Sequence, residues 1–177
     1  DKTICAGDSI EFNTSGAGSY KYFMNDNAIS GFIGSNSYIT TQITTNANIH
    51  VIGKTLEGCT NTSSTINITA NPVPSTTLTS SDQDNDICAG EQVTFNASGA
   101  SKYEFFVNGI SQGAPSLTNF LNKSDIQDND VIEVKGYINA CSAFSDSAYQ
   151  FNVRPNVTLT SSDADQIICD GDEVTFN

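Results

Sequence analysis

The sequence predicts an all-β chain of tandem immunoglobulin-like Greek-key β-sandwich modules, and three observations carry that prediction. A cysteine-containing pattern recurs along the 177 residues. Apolar and polar residues alternate with a period of two through the recurring segments, as half-buried strands require. Thr, Ser, Asn and Gly are frequent, Trp is absent and Met occurs once, which suits short strands joined by turns. Long Ala/Leu/Glu/Lys stretches with the 3.6-residue apolar period of a helix are missing.

The recurrence fixes the organisation. Ile4-Cys5-Ala6-Gly7-Asp8 returns as Ile87-Cys88-Ala89-Gly90-Glu91 and as Ile168-Cys169-Asp170-Gly171-Asp172, the cysteines standing 83 and then 81 residues apart. Ser15-Gly16-Ala17 matches Ser98-Gly99-Ala100, and Tyr20-Lys21-Tyr22-Phe23-Met24-Asn25 matches Tyr103-Glu104-Phe105-Phe106-Val107-Asn108. Cys59 corresponds to Cys141, and Leu78-Thr79-Ser80-Ser81-Asp82 recurs as Leu159-Thr160-Ser161-Ser162-Asp163. These matches divide the chain into a first repeat at 1–74 without its first strand, a complete repeat at 75–155 and the start of a third at 156–177. The chain is expected to begin inside a longer array. Repeats of this length suit independent sandwich modules better than solenoid units.

Within the complete repeat, strands are predicted at 76–80, 92–97, 103–108, 117–121, 131–137 and 148–153, and the architecture as a seven-strand sandwich. Alternation puts Val93, Phe95 and Ala97 on one inner face and Tyr103, Phe105, Val107, Ile132 and Val134 on the other. Asn108-Gly109 and Gly99 mark turns. Pro72, Pro74 and Pro155 stand at module boundaries, where a missing backbone donor does no harm to a ladder.

Charge narrows the function classes. Seven Lys and Arg oppose 20 Asp and Glu, a formal net charge of −13, and such a surface repels phosphate backbones and anionic headgroups. Nucleic acid is therefore not an expected partner. Direct membrane insertion is not expected either, because no apolar run approaches the ~18 residues that crossing needs.

The pattern x-Ile-Cys-x-Gly-[Asp/Glu]-x-[Val/Ile]-x-Phe-Asn, followed by Tyr-x-[Tyr/Phe]-Phe-x-Asn, a lone Cys and a Val-x-Leu-Thr-Ser-Ser-Asp linker, resembles the repeats of SprB-type gliding adhesins. More broadly it is similar to the Ig-like and PKD-like repeats of type IX-secreted surface proteins of Bacteroidota. The resemblance covers the whole chain and implies an exported, outer-membrane-attached filament at the cell surface that grips a substratum or polysaccharide in gliding motility. The partners it implies are neighbouring repeats, the substratum or polysaccharide through other parts of the protein, and the gliding or secretion machinery. The alternative reading is a carbohydrate-binding module of a secreted hydrolase, which would expose an aromatic row outside the core.

Five cysteines without a CxxC or Cys/His cluster predict disulfides rather than zinc. Two connectivities stay open for Cys5, Cys59, Cys88, Cys141 and Cys169. One is Cys5–Cys59 with Cys88–Cys141, inside each repeat, and Cys169 awaiting a partner. The other pairs Cys5 with Cys141 across the junction, because the turns carrying these cysteines lie at opposite ends of a sandwich and a disulfide tolerates only ~4.4–6.8 Å between Cα atoms. Asp82, Asp84, Asp86, Asp128 and Asp130 are candidate calcium ligands at a module junction, competing with ordinary turn roles for the same residues. Calcium is the one cofactor suggested.

Ser9, in Asp8-Ser9-Ile10, and Ser147, in Asp146-Ser147-Ala148, resemble the O-glycosylation acceptor of exported Bacteroidota proteins. Sequons at Asn13, Asn61, Asn67, Asn96, Asn122 and Asn156 arise readily in so Asn- and Thr-rich a chain. His50 is the single histidine and is read as a solvent-facing strand residue. With neither a triad, a phosphate loop nor a nucleophile elbow, the chain is not read as an enzyme. Tyr20, Tyr22, Tyr38 and Tyr103 are weighed as a sugar platform against core, with core favoured.

Overall fold

The computed structural model describes residues 2–162 and 173–175, and among them there is no helix. The first half contains β1 (Lys2–Cys5), β2 (Ile10–Asn13), β3 (Ser19–Met24), β4 (Asn27–Ala28), β5 (Ser37–Thr40), β6 (Ala47–Lys54), β7 (Thr60–Thr62) and β8 (Ile66–Asn71). The second contains β9 (Thr77–Ser80), β10 (Asp86–Cys88), β11 (Val93–Ser98), β12 (Lys102–Val107), β13 (Ile110–Ser111), β14 (Phe120–Lys123), β15 (Val131–Ile138), β16 (Cys141–Phe144), β17 (Tyr149–Gln150) and β18 (Asn152–Arg154). The chain is thus all-β, built as tandem immunoglobulin-like sandwiches.

In the second module a sheet ordered β14-β11-β9 faces one ordered β13-β12-β15-β16, with β17 also on β15. The chain crosses between sheets from β11 to β12, from β13 to β14 and from β14 to β15, which is the Greek-key path. The first module repeats the plan, with β2-β5 facing β1-β8-β6-β3-β4 and β7 on β6. In both modules a short early strand runs parallel to the last one, β1 with β8 and β10 with β18.

Alternation produces the core as expected. Leu78, Ile87, Val93, Phe95 and Ala97 meet Tyr103, Phe105, Ile132 and Val134, and Ile126 and Phe151 close the cluster. Ile10, Phe12, Tyr20, Tyr22, Ile49, Val51 and Ile68 belong to the equivalent cluster in the first module. One cross-strand pair is the same in both: Tyr20 lies opposite Gly53 and Tyr103 opposite Gly136. The bare glycine leaves room for an alanine beside it: a Cβ at Gly53 would stand 2.9 Å from the Ala17 Cβ, and one at Gly136 2.6 Å from the Ala100 Cβ. The Tyr103 hydroxyl donates to Ala100 O at 2.8 Å and accepts from Ala100 N–H at 3.1 Å, and Tyr20 does the same with Ala17 at 2.9 Å for both bonds. A buried phenol is thereby satisfied at both lone pair and proton.

Two strand predictions are corrected. The second module has ten strand segments rather than seven, because β10 and β13 are too short to show alternation and the last strand is broken into β16, β17 and β18. The strand expected at 117–121 forms at Phe120–Lys123, with Leu117 79% exposed. Pairing with β11 begins only where Ala97 N–H reaches Asn119 O.

The outer face of the second sheet carries a small polar network. Glu104 accepts hydrogen bonds from the Ser111 and Tyr137 hydroxyls, which hold its carboxyl below the usual range. Reciprocally, the Glu104 bond, followed by burial, pushes the Tyr137 phenol up to about 12. Lys135 Nζ lies over the Tyr137 and Phe144 rings at 5.7 and 5.4 Å.

Two outcomes are expected. Phe95 is fully buried against Phe151 and Tyr149, so Phe95→Ala should cost about 3–5 kcal/mol in urea unfolding, whereas Phe120→Ala, at a half-exposed ring, should cost far less; equal losses would contradict the core assignment. Tyr137 should ionise near pH 12 by ultraviolet difference titration and return toward its ordinary 10.0 in Glu104→Gln. Because the folded value is raised, the stability this bond contributes is complete below the unfolded value and disappears as pH rises through the folded one.

Candidate functional site: a bridged junction

The parallel strands carry the cysteines to the module ends. Cys5 closes β1 opposite Asn71, the last residue of β8. A tight turn follows, in which Cys5 N–H donates to Asp8 Oδ2 at 2.9 Å, Asp8 N–H returns to Cys5 O at 3.0 Å, and Gly7 adopts φ +85°. That left-handed conformation is why glycine stands third in the Cys-Ala-Gly pattern. Ala6 N–H and Gly7 N–H donate to Asn71 O and Ile43 O, at 2.8 and 2.9 Å.

Cys141 comes from the other module. It opens β16 after the Asn139-Ala140 turn, paired with Ile138, and is 1% exposed. Its Sγ lies 3.9 Å from Asn71 O, and Asn139 Nδ2 donates to Asn71 Oδ1 at 3.4 Å. The turn of the second module therefore sits against the end of the first, where the chain enters the Pro72-Val73-Pro74 linker. There Cys5 and Cys141 form a disulfide, with Cα atoms 5.6 Å apart and a sequence separation of 136. Closing so long a loop is worth about 5 kcal/mol in the chain-entropy account.

Of the two connectivities left open by the sequence, the structure forms the one across the junction. Cys5–Cys59 and Cys88–Cys141 are not formed, because β1 and β10 run parallel to the last strands and so point their cysteines away from their own modules' β7 and β16 turns. Cys59 and Cys88 are exposed free thiols, and Cys169 lies outside the described residues. The surroundings of Cys88 duplicate those of Cys5. Cys88 N–H donates to Glu91 Oε2, Glu91 N–H to Cys88 O and Ala89 N–H to Arg154 O, at 3.0, 3.0 and 3.1 Å, and Gly90 has φ +86°.

The five aspartates do not form a ligand set. Asp82 Oδ1 and Asp84 Oδ1 accept backbone N–H groups of Asn85 and Asp86. Asp86 forms a two-pronged ion pair with Arg154, which holds its carboxyl below the usual range. Asp128 accepts from Val153 N–H and the Asn129 amide. Asp130 is buried, taking Asn108 Nδ2 at 2.7 Å and Gln127 N–H at 2.9 Å. Asn85 Oδ1 is buried without a hydrogen-bond partner, yet its neighbouring carboxylates are engaged by N–H groups and Arg154. No three His, Cys, Asp or Glu side chains among the described residues converge on a point that could hold a metal.

The remaining candidates fall into place simply. Ser9 and Ser147 are exposed in loops. His50 is half-buried rather than solvent-facing, stacked on Phe23 at 4.9 Å. Tyr20, Tyr22 and Tyr103 are core residues, and Tyr38 stacks on Tyr22 at 4.7 Å with its hydroxyl on Ile29 O.

No family model and no curated protein matches the chain. Among solved structures it is similar to the fibronectin(III)-like modules of Clostridium thermocellum CbhA, at 14% identity and TM-score 0.44 over 87% of this chain and 90% of that one. Murine CEACAM1b is similar at 7% identity and TM-score 0.41, over 86% and 96%. A 1.5-MDa bacterial ice-binding adhesin is similar at 16% identity and TM-score 0.39, over 90% of this chain and 64% of that one. Likenesses this distant assign neither a family nor an activity.

Proposed function

We propose that the chain is part of the stalk of a large cell-surface adhesin, its modules held in fixed relation by covalent bridges across their junctions. The observation that carries this reading is the Cys5–Cys141 bond, which joins one module to the next instead of bracing either from within. A bond of that kind persists in oxidising surroundings, which supports a place outside the cytoplasm. The resemblance of the repeat to SprB-type gliding adhesins supports the finer reading of type IX export, outer-membrane attachment and a part in gliding and surface attachment. On that reading the direct partners of these residues are neighbouring modules, while other parts of the protein meet the substratum or polysaccharide and the gliding or secretion machinery.

A carbohydrate-binding module is less well supported. Its aromatic row would have to come from exposed rings, and Phe32, Phe120 and Phe144 lie in a loop of the first module and on the two opposed sheets of the second. They form no row.

Small-angle scattering tests the stalk reading. The oxidised chain should give one narrow distribution of intramolecular distances. Reductant, or Cys141→Ser, should broaden it as the linker at 72–74 becomes the sole connection. Superimposable profiles in all three conditions would overturn the proposal.

A further inference from the structure

Two pairings compete for Cys141, and loop entropy alone favours the one that does not form. A bond to Cys88 would close a loop within one repeat, while the bond to Cys5 closes one with a sequence separation of 136, and the cost of closure rises with loop length. Strand direction takes Cys88 out of reach in the folded module. It does not by itself bring Cys141 to Cys5. Those two cysteines stand on separate modules joined by the linker at 72–74, and tandem modules move relative to each other unless contacts between them prevent it. A contact that holds the turn of the second module against the end of the first is what lets the two sulfurs meet.

The structure places one asparagine from each module beside the bridge. Asn71 lies opposite Cys5 in the parallel pairing of β1 with β8. Its carbonyl accepts Ala6 N–H at 2.8 Å and so belongs to the turn beneath Cys5. Its side chain reaches across the junction, where Oδ1 accepts Asn139 Nδ2 at 3.4 Å. Asn139 comes two residues before Cys141, in the tight turn from β15 to β16, at φ +53°. Asparagine tolerates that left-handed conformation better than most side chains do. The amide contact thus joins the neighbour of one cysteine to the neighbour of the other, and Cys141 Sγ packs 3.9 Å from Asn71 O. Neither asparagine recurs at the equivalent place. Arg154 stands opposite Cys88 and turns its side chain to Asp86, and Leu56-Glu57-Gly58 precedes Cys59 where Asn139-Ala140 precedes Cys141. The contact can therefore be removed without touching the turn that the repeats share.

We propose that Asn71 and Asn139 are positioning residues for the junction disulfide, holding Cys141 against Cys5 so that the bond closes there and resists reduction. In the closing step the two thiols give two protons and two electrons to a small disulfide oxidant such as oxidised glutathione. One thiolate attacks the oxidant to form a mixed disulfide, the other displaces the oxidant's second sulfur, and the oxidant leaves as two thiols. The asparagines exchange neither electrons nor protons. They raise the effective concentration of one thiol at the other. A single contact of this kind biases the reduced junction toward closure without fastening it, so the reduced modules still swing on the linker. The inference rests on the bridge that carries the stalk reading and adds what sets its strength. Scattering tests whether the bridge restrains the modules and a redox equilibrium tests what favours the bridge, so the two can fail separately.

The test uses the whole chain carrying Cys59→Ser, Cys88→Ser and Cys169→Ser, equilibrated in glutathione buffers of graded ratio, with the bridged fraction read by thiol alkylation and mass spectrometry. Asn71→Ala, and separately Asn139→Gly, which keeps the left-handed turn, should each lower the equilibrium constant for the bridge about threefold to tenfold, the factor for one net hydrogen bond. The double variant should lose no more than either single one, because both remove the same contact. Asn71→Asp keeps an acceptor for the Asn139 amide and should restore the parent value to within about twofold. Urea unfolding of the reduced chain should be the same for parent and variants. An unchanged equilibrium constant in both single variants, losses that add in the double variant, a loss in Asn71→Asp as large as in Asn71→Ala, or a fall in the stability of the reduced chain that accounts for the loss would each overturn the proposal.

Discussion

In each module a strand of three or four residues runs parallel to the last strand, β1 beside β8 and β10 beside β18, and the place of the bridge, its turn and the linker follows from that pairing. Parallel running means that the short strand ends where the module ends. A cysteine at its tip then faces the next module. Had the strand run the other way, the same cysteine would have met the turn after β6 or β15 of its own module, and the two sandwiches would have shared only the linker at 72–74. The glycine turn reinforces the placement by folding the chain back beneath the cysteine, with Asp8 or Glu91 tying the turn to its backbone N–H.

This arrangement suits modules whose cores are modest. Nine buried side chains form the described core of the first and eleven that of the second, and domains near this size hold a narrow margin of stability. A cross-link placed inside each module would have added to that margin locally. Placed between modules, it makes the fold of one a restraint on the other, since Cys141 keeps its position only while β15 and β16 are paired. The acidic surface works in the same direction. With a net charge of −13, neighbouring sandwiches repel each other at low salt, and the bridge holds them in contact against that repulsion.

How much of this was legible in the sequence varies with how local the cause is. Val93, Phe95, Ala97, Tyr103, Phe105, Ile132 and Val134 could be placed in the core because strand alternation maps directly onto the two faces of a pleated sheet. Ile87, Ile126 and Phe151 could not. Each stands in a segment too short or too irregular to alternate, and each is buried only because distant elements close over it. The cysteines were recognisable as a bridging set, but spacing carries no information about strand direction, and direction decides the connectivity. The aspartates show a similar limit: the same carboxylates suit a cation or a turn, and the choice lies with the backbone N–H groups and Arg154 that happen to stand nearest.

The bond at the junction also decides which parts of the chain a pull can lengthen. The stretch from Cys5 to Cys141, a sequence separation of 136, would span roughly 450–490 Å fully drawn out, yet its ends are held 5.6 Å apart. A force applied to the chain on either side of the pair enters at one sulfur and leaves at the other. Strands β2 to β15 lie outside that path. Their melting adds nothing to the distance spanned, so most of the hydrophobic core of both modules is excused from mechanical duty, and the load falls on a single covalent bond and on the short strands that anchor its two cysteines.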